Sequence, residues 1–241
     1  ARSVRTRAGD AWGRNVPVAL ASRLMDAAVD LRGVVAVLGG FPALAGADLR
    51  VERGETVLLR GPNGAGKTSL LRVCAGLLPV ERGAGTVLGM DVTADREGIR
   101  RRVGLLGHAN GLYLDLTAEQ NVRFWAGTVG AGDDEVESAM SRMRLDGRLS
   151  SVRAGRMSAG QRRRCALAAL IVRRAELWLL DEPHAGLDAA GRDEIDAVLR
   201  EAVRSGATVI VSSHELERAA SLASRTVVVD GGTVRDEGPQ R

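Results

Sequence analysis

The sequence predicts an α/β fold built on a mixed, mainly parallel sheet, with a helical insertion in its middle. Two observations carry the prediction. Short runs of apolar and β-branched residues (56–59, 177–180, 208–211, 226–229) alternate with helical patterns towards both ends of the chain, as in sheets whose strands are buried on both faces. Between about residues 91 and 165 the texture changes to helical segments separated by glycine turns.

Taken in order, residues 1–26 place Arg2, Arg5, Arg7 and Arg14 in a Gly/Ala-rich stretch. They are read as a flexible N-terminal extension, with a partner-binding arm as the alternative. Residues 27–241 form one composite unit. Short strands are expected at 27–31 and 48–51, then a turn at Glu52-Arg53-Gly54-Glu55 and a buried strand at 56–59. A helix from about 68 to 76 carries Leu70, Leu71 and Val73 on its apolar side. A turn and strand span 83–90, and helical segments include 119–125 and 135–144. A strongly apolar helix at 165–172 leads into strand 177–180, a helix spans about 192–204, and strands at 208–211 and 226–229 follow.

Composition narrows the function classes. Of 241 residues, 45% are hydrophobic, enough for a sizeable core and against global disorder. Aromatics are only 2%, so Leu, Val, Ala and Ile must build that core. Lys and Arg total 34, yet only one, Lys67, is lysine. A lone lysine among arginines marks a place where a compact point charge is needed and a planar fork will not serve. The net charge of +4 suits an anionic ligand or a membrane surface. No nucleic-acid partner is expected: stacking aromatics are lacking, and no basic run exceeds three residues, as at Arg162-Arg163-Arg164. The two cysteines, Cys74 and Cys165, have neither disulfide nor zinc spacing and read as core packing in a reducing compartment. No stretch reaches the ~20 apolar residues that span a bilayer. The chain is therefore expected to reach a membrane only through a partner.

The chemistry begins where strand 56–59 runs into Gly61-Pro62-Asn63-Gly64-Ala65-Gly66-Lys67-Thr68, which fits G-x-x-x-x-G-K-[ST]. Glycines let the backbone wrap so that successive N–H groups face phosphate oxygens. The helix that follows adds its positive N-terminal end, and Ser69 belongs to its first turn. Lys67 would bridge the β- and γ-phosphates of ATP, and Thr68 would offer its hydroxyl to Mg²⁺. The strand-end pair Asp181-Glu182 supplies the complementary carboxylates. Asp181 would hold Mg²⁺, directly or through water, and Glu182 would polarise the attacking water. In isolation such a pair can also be a solvated loop start.

Further motifs make the chain resemble the ATP-binding subunit of an ABC transporter. Met157-Ser158-Ala159-Gly160-Gln161 is similar to the family signature, Ala185-Gly186-Leu187-Asp188 to its D-loop, and Val211-Ser212-Ser213-His214 to its switch strand and histidine. The resemblance covers about residues 27–238 and implies a P-loop NTPase (RecA-like) core, an ABC-specific antiparallel β region and an inserted helical subdomain at about 91–165. It also implies a head-to-tail dimer, with itself or a related ATPase, at the cytoplasmic side of a membrane. Each ATP would lie between one subunit's Lys67 loop and the partner's Ser158-Ala159-Gly160 segment, with Gln161, Asp188 and His214 nearby. The partner in transport would be an integral-membrane subunit.

Two departures stand out. His108 occupies the family's Gln position in Gly104-Leu105-Leu106-Gly107-His108. A neutral imidazole can make one hydrogen bond to Mg²⁺-bound or attacking water, and activity would then fall in mild acid; the alternative is a plain loop cap. Leu38 takes the place of the adenine-stacking aromatic, leaving Phe41 as the nearby candidate for stacking or for loop packing. Leu116-Thr117, Asn121-Val122-Arg123-Phe124 and the Ser-Ala-Gly-Gln signature are similar to the haem-export ATPases of cytochrome c maturation, with drug- and lipid-export ATPases as the alternative. Soluble relatives acting on ribosomes or DNA usually carry two cassettes or a coiled-coil insertion, which this sequence lacks. A module that binds ATP without turnover would not need Glu182 and His214.

Overall fold

The computed structural model describes residues 27–239. The expected N-terminal extension, residues 1–26, lies outside them. In chain order the elements are β1 (Ala27–Leu38), β2 (Phe41–Glu52), β3 (Thr56–Arg60), α1 (Lys67–Cys74), β4 (Arg82–Val87), β5 (Met90–Asp91), α2 (Arg96–Arg102) and β6 (Val103–Leu106). They continue with α3 (Ala118–Gly127), α4 (Asp133–Arg142), α5 (Ala159–Val172), β7 (Leu177–Asp181), α6 (Ala189–Arg204), β8 (Thr208–Ser212), α7 (Leu216–Ala220), β9 (Arg225–Asp230) and β10 (Thr233–Pro239).

Two sheets result. The smaller is antiparallel, in the order β2-β1-β4-β5. The larger has six strands in the order β10-β9-β3-β8-β7-β6, all parallel except β10, which pairs antiparallel with β9. The period-2 alternation of the parallel strands splits the core in two. Val57, Leu59, Leu177, Leu179 and Ile210 face α1 and the antiparallel sheet. Leu58, Trp178, Leu180, Val209 and Val211 face the helical side, where α3, α4, α5 and α6 pack. Cys74 lies in the first core and Cys165 in the second, both free. Burial pushes each thiol up to about 12, so both act as small core hydrophobes.

Four elements differ most from the sequence expectation. Strands β1 and β2 each run 12 residues, well beyond 27–31 and 48–51. Their register shifts near Gly33 and between Ala36 and Val37, which breaks the alternation that marks a strand. Within the stretch expected to be helical, β6 forms the edge of the parallel sheet. Its Gly104 is there because a Cβ would lie 2.0 Å from Leu170 Cδ1, and that glycine weakens the strand signal. Finally, α5 begins at Ala159 rather than at Cys165. Ser158 Oγ accepts from the Gln161 N–H (3.2 Å) while Gln161 Oε1 accepts from the Ser158 N–H (2.9 Å), a reciprocal cap that starts the helix early. Among the described residues no helix is long and apolar enough to cross a membrane.

Candidate active site

The C-terminal ends of β3, β6, β7 and β8 lie side by side, the usual place for ligands in parallel sheets. They border a cavity of about 510 Å³. Asn63 to Ser69, Phe41, His108, Asp181, Glu182 and His214 all line it. Residues far apart in sequence are therefore brought to one place.

The loop between β3 and α1 is held open by its glycines. Gly61 has φ 151 and Gly66 has φ 110, and a Cβ would lie 2.0 Å from the Val229 carbonyl oxygen at Gly61 and 2.7 Å from that of Ala43 at Gly66. Both glycines are thus fixed by the neighbouring backbone. Gly61→Ala is expected to lower unfolding free energy by on the order of 2 kcal/mol and to weaken ATP binding. Urea unfolding and an ATP titration check this; a parent-like midpoint with parent-like affinity would refute it.

Lys67 is 8% exposed, and its Nζ donates to the carbonyl oxygens of Gly61 (2.7 Å) and Pro62 (3.0 Å). These bonds lay the ammonium across the mouth of the loop. Pro62 and Gly61 serve as its acceptors and do not line the cavity. Thr68 Oγ1 donates to Asp181 Oδ2 (2.7 Å), and Ser212 Oγ donates to Asp181 Oδ1 (2.5 Å). A hydroxyl and a carboxylate oxygen thus meet at one point, a hard oxygen set of the kind Mg²⁺ prefers. The described residues hold no group of three His, Cys, Asp or Glu able to ligate a metal. One carboxylate plus phosphate oxygens is the arrangement Mg²⁺ commonly takes.

Glu182 has left-handed backbone (φ 50). Its N–H donates to the Ser212 carbonyl (3.0 Å), and its Oε2 accepts from the His214 N–H (3.1 Å). Its Oε1 is buried without a hydrogen-bond partner, 3.5 Å from His214 Nε2. Of the two oxygens, Oε1 is thus the one not already accepting from the protein, which leaves it for a water molecule.

His108 is exposed, in the loop after β6. That loop is closed by the Asn110 N–H donating to the Gly107 carbonyl (3.2 Å), so the imidazole is not spent as a cap. Phe41 sits opposite Leu38 at the β1–β2 hairpin end and is 77% exposed at the cavity edge, so its ring does not pack the loop. Ser158, Ala159, Gly160, Gln161 and Asp188 do not line the cavity. Gln161 is engaged in the cap with Ser158, and Asp188 caps α6 by accepting from the Gly191 N–H (2.9 Å). Ser158 and Ala159 are exposed, and Gly160 lies against Gly186 and Leu187.

Two residues escaped the sequence reading. His184 is 2% exposed and its Nε2 is 2.8 Å from Asp196 Oδ1, which ties the segment after Glu182 to α6. Arg163, 4% exposed, reaches under the cavity from α5. A signal for it existed: 163, 166, 167 and 170 form a helical stripe, and an arginine on an apolar stripe must find partners. A second cleft, of about 620 Å³, opens on the far side of the His108 loop. Leu77, Trp125, Arg72, Arg100 and Arg173 line it, and it shares Thr68, His108 and Asp181 with the first cavity.

Comparison with known proteins agrees with this geometry. A family model described as ABC transporter matches residues 44–185. The chain is 38% identical over 223 residues to the daunorubicin resistance ATP-binding protein DrrA3 of Streptomyces coeruleorubidus, covering 89% of this chain and 69% of that one. It is 39% identical over 200 residues to the cytochrome c biogenesis ATP-binding export protein CcmA of Bordetella bronchiseptica, covering 82% and 88%. Its fold is similar to that of a solved ATP-binding cassette in a dimeric post-hydrolysis state bound to ADP and Pi, with TM-score 0.80, 23% identity and coverage of 88% and 99%.

Proposed function

The chain belongs to the ABC transporter family, and from that premise we propose that it is the ATP-binding and ATP-hydrolysing subunit that powers export through a separate integral-membrane subunit. The convergence of Lys67, Thr68, Asp181 and Glu182 on one cavity is the observation that carries this reading.

Loop amides and the Lys67 ammonium bind the β- and γ-phosphates, and Phe41 offers the adenine an edge to stack on. Mg²⁺, when bound, neutralises charge on the β- and γ-oxygens. Thr68 and Asp181 would hold it, with His108 positioned to contact its water. Glu182 Oε1 takes the proton as water attacks the γ-phosphorus; the bond from that phosphorus to the β-bridging oxygen breaks, leaving ADP and phosphate. His214, whose N–H holds Glu182 Oε2, keeps the carboxylate aimed. Since Ser158, Ala159 and Gly160 face away from their own cavity, a second copy or a related ATPase would complete each site with them. Helix α5 then presents its N-terminal end to the γ-phosphate across the interface. The second cleft is where the membrane subunit would read the site. Its lining arginines beside Leu77 and Trp125 favour an acidic, partly apolar cytoplasmic segment of that subunit, seated beside His108. On this reading the chain works at the cytoplasmic face of the membrane.

His108→Gln is expected to keep turnover, because an amide oxygen can accept the same single hydrogen bond as the ring nitrogen, whereas His108→Ala is expected to lower it about tenfold. Phosphate release compares the two variants; parent-like turnover in His108→Ala removes His108 from the mechanism.

For the cargo, we favour haem export in cytochrome c biogenesis, supported by the CcmA relatives and the Ser158-Ala159-Gly160-Gln161 signature. DrrA3 supports drug or lipid export as the second reading. Deleting the gene separates them. Loss of covalently bound haem from c-type cytochromes supports the first, whereas intact cytochromes with new sensitivity to an anthracycline support the second.

A further inference from the structure

Arg163 carries a charge into the interior and meets no carboxylate there at hydrogen-bonding distance. Its Nε donates to the Pro183 carbonyl (3.1 Å), and its Nη1 to the Gly107 carbonyl (2.8 Å) and Asn110 Oδ1 (2.8 Å). Its Nη2 donates to the carbonyls of Asp181 (2.7 Å) and Glu182. A guanidinium has five N–H donors in a fixed fork, and here all five are used. Burial alone would push this group towards its neutral form and brings it down to about 10, while the charges of Asp181 and Glu182 oppose that shift. It therefore stays protonated at neutral pH.

The acceptors belong to two segments of the site. Asp181 ends β7, with Glu182 and Pro183 directly after it; Gly107 and Asn110 flank His108. Glu182 sits in left-handed backbone, which a non-glycine residue adopts only when its surroundings impose it. They do so from both sides: the Ser212 carbonyl takes the Glu182 N–H, and Arg163 takes the Glu182 carbonyl. Arg163 itself rides on α5, whose first cap is Ser158.

We propose that Arg163 is a positioning residue for hydrolysis. It fixes the Glu182 backbone and the His108 loop on the helix that Ser158 opens, so that contact made at Ser158 by the partner copy's nucleotide is transmitted to this copy's own water-activating carboxylate. The proposal rests on the reading of Glu182 as general base.

The test uses the full chain with ATP and Mg²⁺, comparing kcat, KM, ATP affinity by equilibrium dialysis, and Tm. Arg163→Gln keeps at most a fraction of the five bonds; with Glu182 loosened by about an ångström, kcat should fall about 100-fold. ATP affinity should stay within about threefold, because no Arg163 atom lines the cavity. Arg163→Lys keeps the charge but brings three donors on one atom, so it should restore little of the lost kcat. A parent-like kcat in Arg163→Gln overturns the proposal, as does a loss matched by equal losses in ATP affinity and Tm. If Arg163→Gln does not fold, Arg163→Lys decides alone, and full activity there overturns the fork argument. Glu182→Gln is assayed in parallel. Parent-rate turnover in that variant would sink the general-base reading itself, whereas an inactive Glu182→Gln beside a parent-like Arg163→Gln sinks only the role of Arg163.

Discussion

Lys67→Ala is expected to abolish ATP binding at millimolar nucleotide. The ammonium is the one compact cation in the phosphate loop, it is almost fully buried, and two loop carbonyls fix its position. Charge-assisted bonds to phosphate oxygens contribute on the order of 1.5–3 kcal/mol each, so losing two costs about 100- to 10,000-fold in affinity. The fold should survive, because alanine leaves only two carbonyls, at the edge of the cavity, to be taken up by water. Lys67→Arg should fail as well. A planar fork cannot rest on the Gly61 and Pro62 carbonyls and still offer a point charge to two phosphates. Calorimetric titration with ATP measures both variants, and unchanged affinity in Lys67→Ala would remove the loop from the site.

Glu182→Gln should separate binding from chemistry. The amide is isosteric, and its oxygen can still accept the His214 N–H. It has lost the basic oxygen, so kcat should fall about 10²- to 10⁴-fold while ATP affinity holds. With hydrolysis blocked, the ATP-bound pair of subunits should accumulate. Light scattering would then show a doubled mass that requires ATP and is lost in Lys67→Ala. Turnover at the parent rate would mean that another group activates the water.

Much of this was legible in the sequence. The loop from Gly61 to Thr68 stands out because its physics is local: a strand, a tight glycine wrap and a helix start follow one another along the chain. The Asp181-Glu182 pair was legible because an apolar strand ends on it. Strand β6 was harder to see, since its Gly104 answers to a leucine on α5 more than 60 residues away in sequence. The long strands β1 and β2 were curtailed by bulges that interrupt alternation. In the sequence Arg163 is only the middle of the run Arg162-Arg163-Arg164. Its acceptors are backbone carbonyls on two other segments, and carbonyls leave no mark in a sequence. The same holds for His184, whose partner Asp196 lies on the next helix. What a partner copy would contribute through Ser158 is encoded in no local pattern of this chain and rests on the family resemblance.

The position of β3 also bears on how the protein is made. This strand leads into the phosphate loop, yet in the sheet it lies between β8 and β9, which leave the ribosome about 150 residues later. Thr68 and Asp181 likewise bond across 113 residues of sequence. At translation rates of about 5–20 residues per second, β3 waits on the order of 10 s with both edges unpaired. During that interval it offers an apolar ladder to any other nascent chain. Slow synthesis through the helical insertion, or a stop codon before β8, should therefore reduce yield through aggregation, long before any question of catalysis arises.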